Sequence, residues 1–279
     1  MGAKLAPSGE PDILNYSWRE YGNRVGAWRM LDVLKDTGFP VSLLVNSEIY
    51  NHCPELPAAY CEQLRRHGKS CEIVGHGCSN AEKQSDMREA KEREWILNAT
   101  ETLKQHAGVT PKGWLGPWIS ESHVTPDLLQ EAGYTYCLDW CHDDQPVWMR
   151  TRSGGKLLAM PYSQEINDIP AVVARHESHK AFADMIIDQF DEMLMQASEE
   201  CPLVLGIALH PYIVGQPFRL RQLRRALQHI SNCAEFAQVL PRQVDSAEGA
   251  APQKKVWVTT AGEIADYITR LPAGTVPGS

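Results

Sequence analysis

Nowhere in these 279 residues does an apolar run approach the length of a membrane span, about 20 residues. Met1-Gly2-Ala3-Lys4 does not open onto the apolar core of a signal peptide, so the chain reads as cytoplasmic and without a membrane partner. Eight cysteines are present, at 53, 61, 71, 78, 137, 141, 201 and 233, yet no C-x-x-C pair occurs among them. That spacing excludes a zinc knuckle and a disulfide framework and makes free, largely buried thiols the expectation. Positive charge is in deficit, with 27 Lys and Arg against 35 Asp and Glu and a net charge of −8. A nucleic-acid surface needs the reverse, a basic patch that displaces counterions. Arg219, Arg221, Arg224 and Arg225 do cluster, but on a predicted helix, as a solvated face or a subunit contact. No Pro/Ser/Gly-rich linker divides the middle of the chain, which favours one large domain.

What the sequence does contain is a repeated unit. Hydrophobic residues make up 43% of the chain, enough for a sizeable core. Leu203–Leu209 is an unbroken apolar run that ends in His210-Pro211-Tyr212. Such a run predicts a strand buried on both faces, as in a parallel sheet covered by helices. Glu72–Val74 runs into Gly75-His76-Gly77, Lys112–Leu115 into Gly116-Pro117-Trp118, and Tyr134–Leu138 into Asp139-Trp140. Each is followed by a helical pattern, which is the signature of βα units. Further strands are predicted at Val41–Val45, Leu157–Met160 and Val256–Val258, about seven in all. Helices are predicted over Gly22–Lys35, Glu55–His67, Ser85–Gln105, the stretch from Thr125 to Gly133, Ser178–Gln196, Leu220–Ile230 and Ala261–Arg270. Residues 1–21 read as an irregular segment and 271–279 as a frayed tail, with 22–270 as the folded body. No strand precedes the first of those helices. On this reading a sheet edge is left open, to be covered by a second copy of the chain or to leave the site incomplete.

The order of the strand-end motifs resembles the polysaccharide deacetylase superfamily. These motifs are Gly75-His76-Gly77-x-Ser79-Asn80, Trp114-Leu115-Gly116-Pro117, Asp139-Trp140-x-x-Asp143-Asp144-Gln145-Pro146 and Leu209-His210-Pro211. With Tyr21-Gly22-Asn23-Arg24-Val25-Gly26-x-Trp28-Arg29 added, the chain is most similar to the cytoplasmic branch that includes metal-independent allantoinases and cyclic imide hydrolases. The resemblance implies an α/β fold, a distorted (β/α) barrel of about seven parallel strands with the first strand missing here. It also implies hydrolysis of a carbon–nitrogen bond in a small linear or cyclic amide.

Amide hydrolysis requires an activated water, a stabilised oxyanion and an acid for the leaving nitrogen. His210 matches the family's leaving-group acid, and Asp139 matches the position that accepts a histidine N–H. His76 completes the expected catalytic set. Because βα units place their loops at one end of a sheet, the three are expected to converge. Arg24, Asn80, Trp114, Gly116, Pro117, Trp140, Asp143, Asp144 and Tyr212 are the expected substrate contacts, the aromatics offering planar surface to a small flat molecule. Competing readings are core packing for Trp114 and simple turn capping for the three aspartates. His76 and Asn80 are the candidate ligands of a divalent metal such as zinc, although asparagine in place of a second histidine equally suits a metal-free pocket. The alternative function is a catalytically degenerate member kept as an oligomeric binding protein.

Overall fold

The structure is a computed structural model, and it describes residues 11–233 and 256–278. The elements run α1 (Ile13–Tyr21), α2 (Ala27–Thr37), β1 (Val41–Val45), α3 (Ile49–His52), α4 (Glu55–Arg66), β2 (Cys71–Gly75), α5 (Glu89–Ala107) and β3 (Gly113–Trp114). They continue with α6 (Thr125–Glu131), β4 (Tyr136–Cys137), β5 (Val147–Arg150), β6 (Lys156–Ala159), α7 (His179–Gln196), α8 (Pro211–Val214), α9 (Pro217–Asn232) and α10 (Ala261–Ile268). The described chain forms two compact units, one of residues 11–17, 40–164 and 259–278 and one of 18–39, 165–233 and 256–258.

The first unit is an α/β sheet of order β1-β2-β3-β4-β6-β5, parallel throughout except for the β5–β6 hairpin. Successive strand residues face opposite ways, and here both faces are apolar. Trp114, Cys137 and Leu157 pack with Trp95, Ile96 and Ala99 of α5 and Leu128 and Leu129 of α6. Their neighbours Leu115, Tyr136 and Leu158 pack with Ala265 and Ile268 of α10 on the other face. This is why the strands read as short unbroken apolar runs. Glu72 of β2 reaches out to accept bonds from Ser42 Oγ (2.5 Å) and Gly262 N (2.8 Å), tying the start of α10 to the sheet.

The second unit is helical. Phe182, Ile186 and Phe190 of α7, Leu223, Leu227 and Ile230 of α9 and Met30, Leu31 and Val33 of α2 are all buried. Ser178 caps α7, its Oγ accepting from Ala181 N at 3.0 Å. Arg225 pairs with Asp184 (2.5 Å) and Arg224 with Asp36 (2.7 Å), so two arginines of the basic cluster have carboxylate partners inside this unit.

The structure departs from the sequence reading at several points. Leu203–Leu209 makes a single parallel bridge, Asn167 to Ala208, and residues 203–207 are half-buried. Its partner is too short: after Asp168 the chain turns into a π-helical stretch over Ile169–Ala174, opened by Pro170, which has no N–H to give a ladder. Val256–Val258 forms no ladder among the described residues, and Trp257 stays 46% exposed. β5, which the sequence reading lacked, completes an antiparallel hairpin with β6. Ile13–Tyr21, expected to be irregular, is helical, with none of its residues buried. The tail is tied down rather than frayed, since Trp148 N donates to Pro277 O at 2.9 Å and Leu271 and Val276 pack against the sheet. The thiols are also less buried than expected, with only Cys137 fully buried and Cys141 and Cys201 exposed.

The motif Tyr21–Arg29 acquires a physical reason in the second unit. Gly22–Gly26 is a π-helical turn on which α8 is seated. A Cβ on Gly26 would lie 2.1 Å from Pro211 O, and one on Gly215 would lie 2.3 Å from Gly26 Cα. The two backbones meet where only glycine fits. Tyr21 and Arg29 close the arrangement, with Arg29 Nη1 donating to Tyr21 Oη at 2.6 Å. Gly26→Ala is expected to cost about 2–4 kcal/mol, read as a lower denaturant midpoint. An unchanged midpoint would show that this contact is not close.

Candidate active site

In the first unit the predicted residues gather at the carboxyl ends of β2, β3 and β4, where parallel α/β sheets place their ligands. His76 follows β2 and Asp139 follows β4. Both hold the same peptide group after β3. His76 Nδ1 lies 2.6 Å from Leu115 O, and Gly116 N donates to Asp139 Oδ1 at 2.7 Å. The Leu115–Gly116 peptide is thus held from its carbonyl side by an imidazole and from its N–H side by a carboxylate. The first contact sets the tautomer, because a nitrogen facing a carbonyl carries the proton. A Cβ on Gly116 would meet Ser120 O at 2.5 Å and Gln84 Oε1 at 2.7 Å. The loop beyond it is strained, with Trp118 (φ 68°) and Ile119 (φ 53°) both in the left-handed region. Trp118 Nε1 is anchored on Asn80 O at 2.9 Å.

Asp139 has a carboxyl neighbour that sequence reasoning missed. Glu121 Oε1 and Asp139 Oδ2 are both sealed from solvent and, among the described residues, have no partner but each other, the two carboxyl groups approaching within 4.8 Å so that one, when protonated, bonds the other. The outer oxygen of Glu121 accepts from Trp140 Nε1 at 2.9 Å. Burial, with the nearby Glu92 charge adding to it, pushes the Glu121 carboxyl up to about 7. Burial and the Glu121 charge push Asp139 well above the usual carboxylate range. Two carboxyls so placed retain a proton near neutrality. Beneath them, Trp114 Nε1 donates to Gln84 Oε1 (2.9 Å), Gln84 Nε2 to Glu92 Oε1 (2.9 Å) and Ser122 Oγ to Glu92 Oε2 (2.5 Å), with Thr125 Oγ1 also bonded to Glu92.

His210 lies in the second unit, and the residue that grips it there is Asp168, not Asp139. Asp168 is fully buried; its Oδ1 lies 2.6 Å from His210 Nδ1, and its Oδ2 accepts from His210 N at 2.8 Å. The Asn167–Ala208 bridge sets this register, which places Asp168 beside the end of the His210 segment. A carboxylate on Nδ1 fixes the ring and leaves Nε2 as the working nitrogen. Tyr212 stands beside the ring, its centroid 6.0 Å away, with Arg19 over its own face at 4.9 Å and Trp18 edge-on at 4.8 Å. Arg219 Nε is buried there without a partner among the described residues, and burial lowers that guanidinium.

No protein-family model matches the chain. A Schizosaccharomyces pombe protein named as a polysaccharide deacetylase is 24% identical over 261 residues, a match that covers 88% of this chain and 73% of that protein. A peptidoglycan deacetylase of Helicobacter pylori is 24% identical over 191 residues, covering 57% of this chain and 64% of that one. Among solved structures, the Puue allantoinase superposes with a TM-score of 0.76 at 27% identity over 93% of this chain and 77% of its own. In sequence and in fold the chain is similar to proteins of the polysaccharide deacetylase superfamily. A Pseudomonas aeruginosa structure, also named as a polysaccharide deacetylase, superposes at 0.74 with 26% identity over 92% of this chain and 77% of its own.

Set against this family, the expected contacts separate. Trp114 is wholly buried and bonded to Gln84, so it is a core residue and not a substrate contact. Gly116 and Pro117 are buried and shape the loop. Asp143 Oδ1 accepts from Gln145 N at 2.9 Å and so caps its own turn, while Asp144 is exposed. Trp118 and Trp140 present 37% and 42% of their surface to solvent. Arg24 is exposed on the π-helical turn.

His76, whose Nε2 is left for a ligand by the Nδ1 contact, and Asn80 together supply two of the three protein ligands a zinc site ordinarily takes. His76 Nδ1 faces Leu115 O, and Asn80 Oδ1 accepts from Asn46 Nδ2 at 3.1 Å. Among the described residues, the His, Cys, Asp and Glu groups that bring three ligand atoms within 4.8 Å are Glu121–Cys137–Asp139 and Asp191–His229–Cys233. Neither includes His76. In the former, burial holds the Cys137 thiol well above its ordinary range, which opposes the thiolate a metal needs.

The raised Glu121 carboxyl has a consequence for stability. The folded form keeps its proton up to about pH 7, while the unfolded chain releases it near 4.5. Between those values the folded state binds more protons, so stability falls as pH rises. Glu121→Gln is expected to flatten that decline, measured as urea midpoints from pH 4.5 to 7. Parallel profiles for the two proteins would remove Glu121 as its source.

Proposed function

We propose that the chain hydrolyses the carbon–nitrogen bond of a small linear or cyclic amide, with His210 as its proton-transfer group and Asp168 as the residue that positions it. The observation that carries this reading is the two-oxygen grip of buried Asp168 on the ring and the backbone N–H of His210. Water attacks the carbonyl carbon as its proton passes to His210 Nε2. The same nitrogen then delivers that proton to the departing nitrogen, so the carbon–nitrogen bond breaks with protons balanced. Asp168 keeps Nδ1 occupied throughout and holds the ring in place. In the first unit His76 and Asp139 are positioning residues for the Leu115–Gly116 loop. We place the protein in the cytoplasm, acting as a homo-oligomer.

A second reading, binding without turnover, is favoured by one observation: among the described residues, no cluster of three His, Cys, Asp or Glu ligand atoms includes His76. One panel separates the two. Allantoin, hydantoin, succinimide and an N-acetyl sugar are offered to the wild type, to His210→Ala and to Asp168→Asn. We expect turnover of at least one compound, a loss of about 10²–10⁴-fold in His210→Ala, and a comparable loss in Asp168→Asn with little change in KM. Binding of a panel member without hydrolysis by the wild type would establish the second reading instead. An active His210→Ala protein would remove the histidine from the mechanism.

A further inference from the structure

We propose that Cys61 and Cys71 of the first unit form a reversible redox pair, oxidised by small disulfides such as glutathione disulfide to an intramolecular disulfide. Cys61 lies on α4 and Cys71 is the first residue of β2, and their sulfurs are 2.8 Å apart. A disulfide bond measures about 2.05 Å, so closing it needs a movement of under ~1 Å shared between two side chains. The connection that would accommodate the movement is the turn after α4, where Gly68 has φ 69° and is exposed. Both thiols are half-buried and so remain open to a small reagent.

The pair is also chemically asymmetric in the way exchange requires. The hydrogen bond from Cys71 lowers Cys61, and the Arg65 guanidinium one helical turn on adds to this. The same hydrogen bond and burial raise Cys71. Cys61 is therefore the attacking thiolate and Cys71 the resolving thiol. Cys61 Sγ attacks one sulfur of glutathione disulfide and expels one glutathione thiolate. Cys71 then loses its proton to solvent, attacks Cys61 Sγ and expels the second. In total two protein thiols are oxidised and one small disulfide is reduced to two thiols. The product staples α4 to the start of β2, the strand whose far end carries His76. The span it closes is about ten residues, for which the gain in unfolding temperature is about 5 °C.

The test uses the full chain, equilibrated with glutathione disulfide or with dithiothreitol, alkylated under denaturing conditions and weighed intact. We expect the oxidised sample to have two fewer alkylated thiols, a peptide map that links residues 61 and 71, the rise in unfolding temperature and full reversal by dithiothreitol. In Cys71→Ser the reaction should stop at a glutathione adduct on Cys61, which reports the first step independently of disulfide closure. Equal alkylation in the two samples, or a link that maps to other cysteines, would overturn the proposal.

Discussion

A carboxylate taken out of water must be met by donors, and in this protein that requirement fixes the loops. Glu72, Glu92, Asp139 and Asp168 are withdrawn from solvent wholly or in part, and each holds something in place. Glu72 accepts from Ser42 and Gly262 and so joins α10 to the sheet. Glu92 accepts from Gln84, Ser122 and Thr125 and so braces the start of α6 against α5. Asp139 holds the Gly116 N–H, and Asp168 holds His210 by ring and backbone together. An unmet buried charge costs several kcal/mol, so each of these loops has one low-energy arrangement in place of many. The exception is instructive. Where Asp139 and Glu121 face each other with an oxygen each left over, the structure meets the requirement by keeping a proton instead of a donor.

Much of the framework was legible in the sequence because it follows from period and punctuation. β1, β2, β3, β4 and β6 fall where short apolar runs end in glycine or a polar residue, and α4, α7 and α9 fall where apolar residues recur at helical spacing. The family resemblance rested on strand-end loops, and the sheet places His76, Gly116 and Asp139 at the strand ends expected of them. The run Leu203–Leu209 is apolar without forming a ladder. Hydrophobicity reports that a segment is shielded from water, but a ladder also needs a partner of matching length, and Pro170 ends that partner early.

The site was legible in its histidines and less so in the groups that serve them. His76 and His210 stand out because glycine and proline flank them at the ends of apolar runs. Asp168 gives no such signal. It lies 42 residues from the histidine it grips, and only the Asn167–Ala208 bridge reveals the pairing. Asp139 was assigned to hold a histidine N–H and instead holds a backbone one, a distinction spacing does not carry. Glu121, in a loop of otherwise ordinary composition, is notable only for what surrounds it. The glycines of the Tyr21–Arg29 motif were visible as a motif, and their reason, close contact with Pro211 and Gly215, is purely three-dimensional.

The central claim is that Asp168 sets the protonation of His210 so that Nε2 does the chemistry. The ¹⁵N spectrum of the imidazole rings in labelled protein, with the His210 signals assigned by their loss in His210→Asn, reads this directly. Above the pH at which His210 loses its charge, the account predicts a protonated Nδ1 with a strongly hydrogen-bonded proton and a bare Nε2. It also predicts that Asp168→Ala returns His210 to the tautomer mixture of a free imidazole. A His210 protonated on Nε2 with a bare Nδ1 in the wild type, or one indifferent to Asp168, would contradict it.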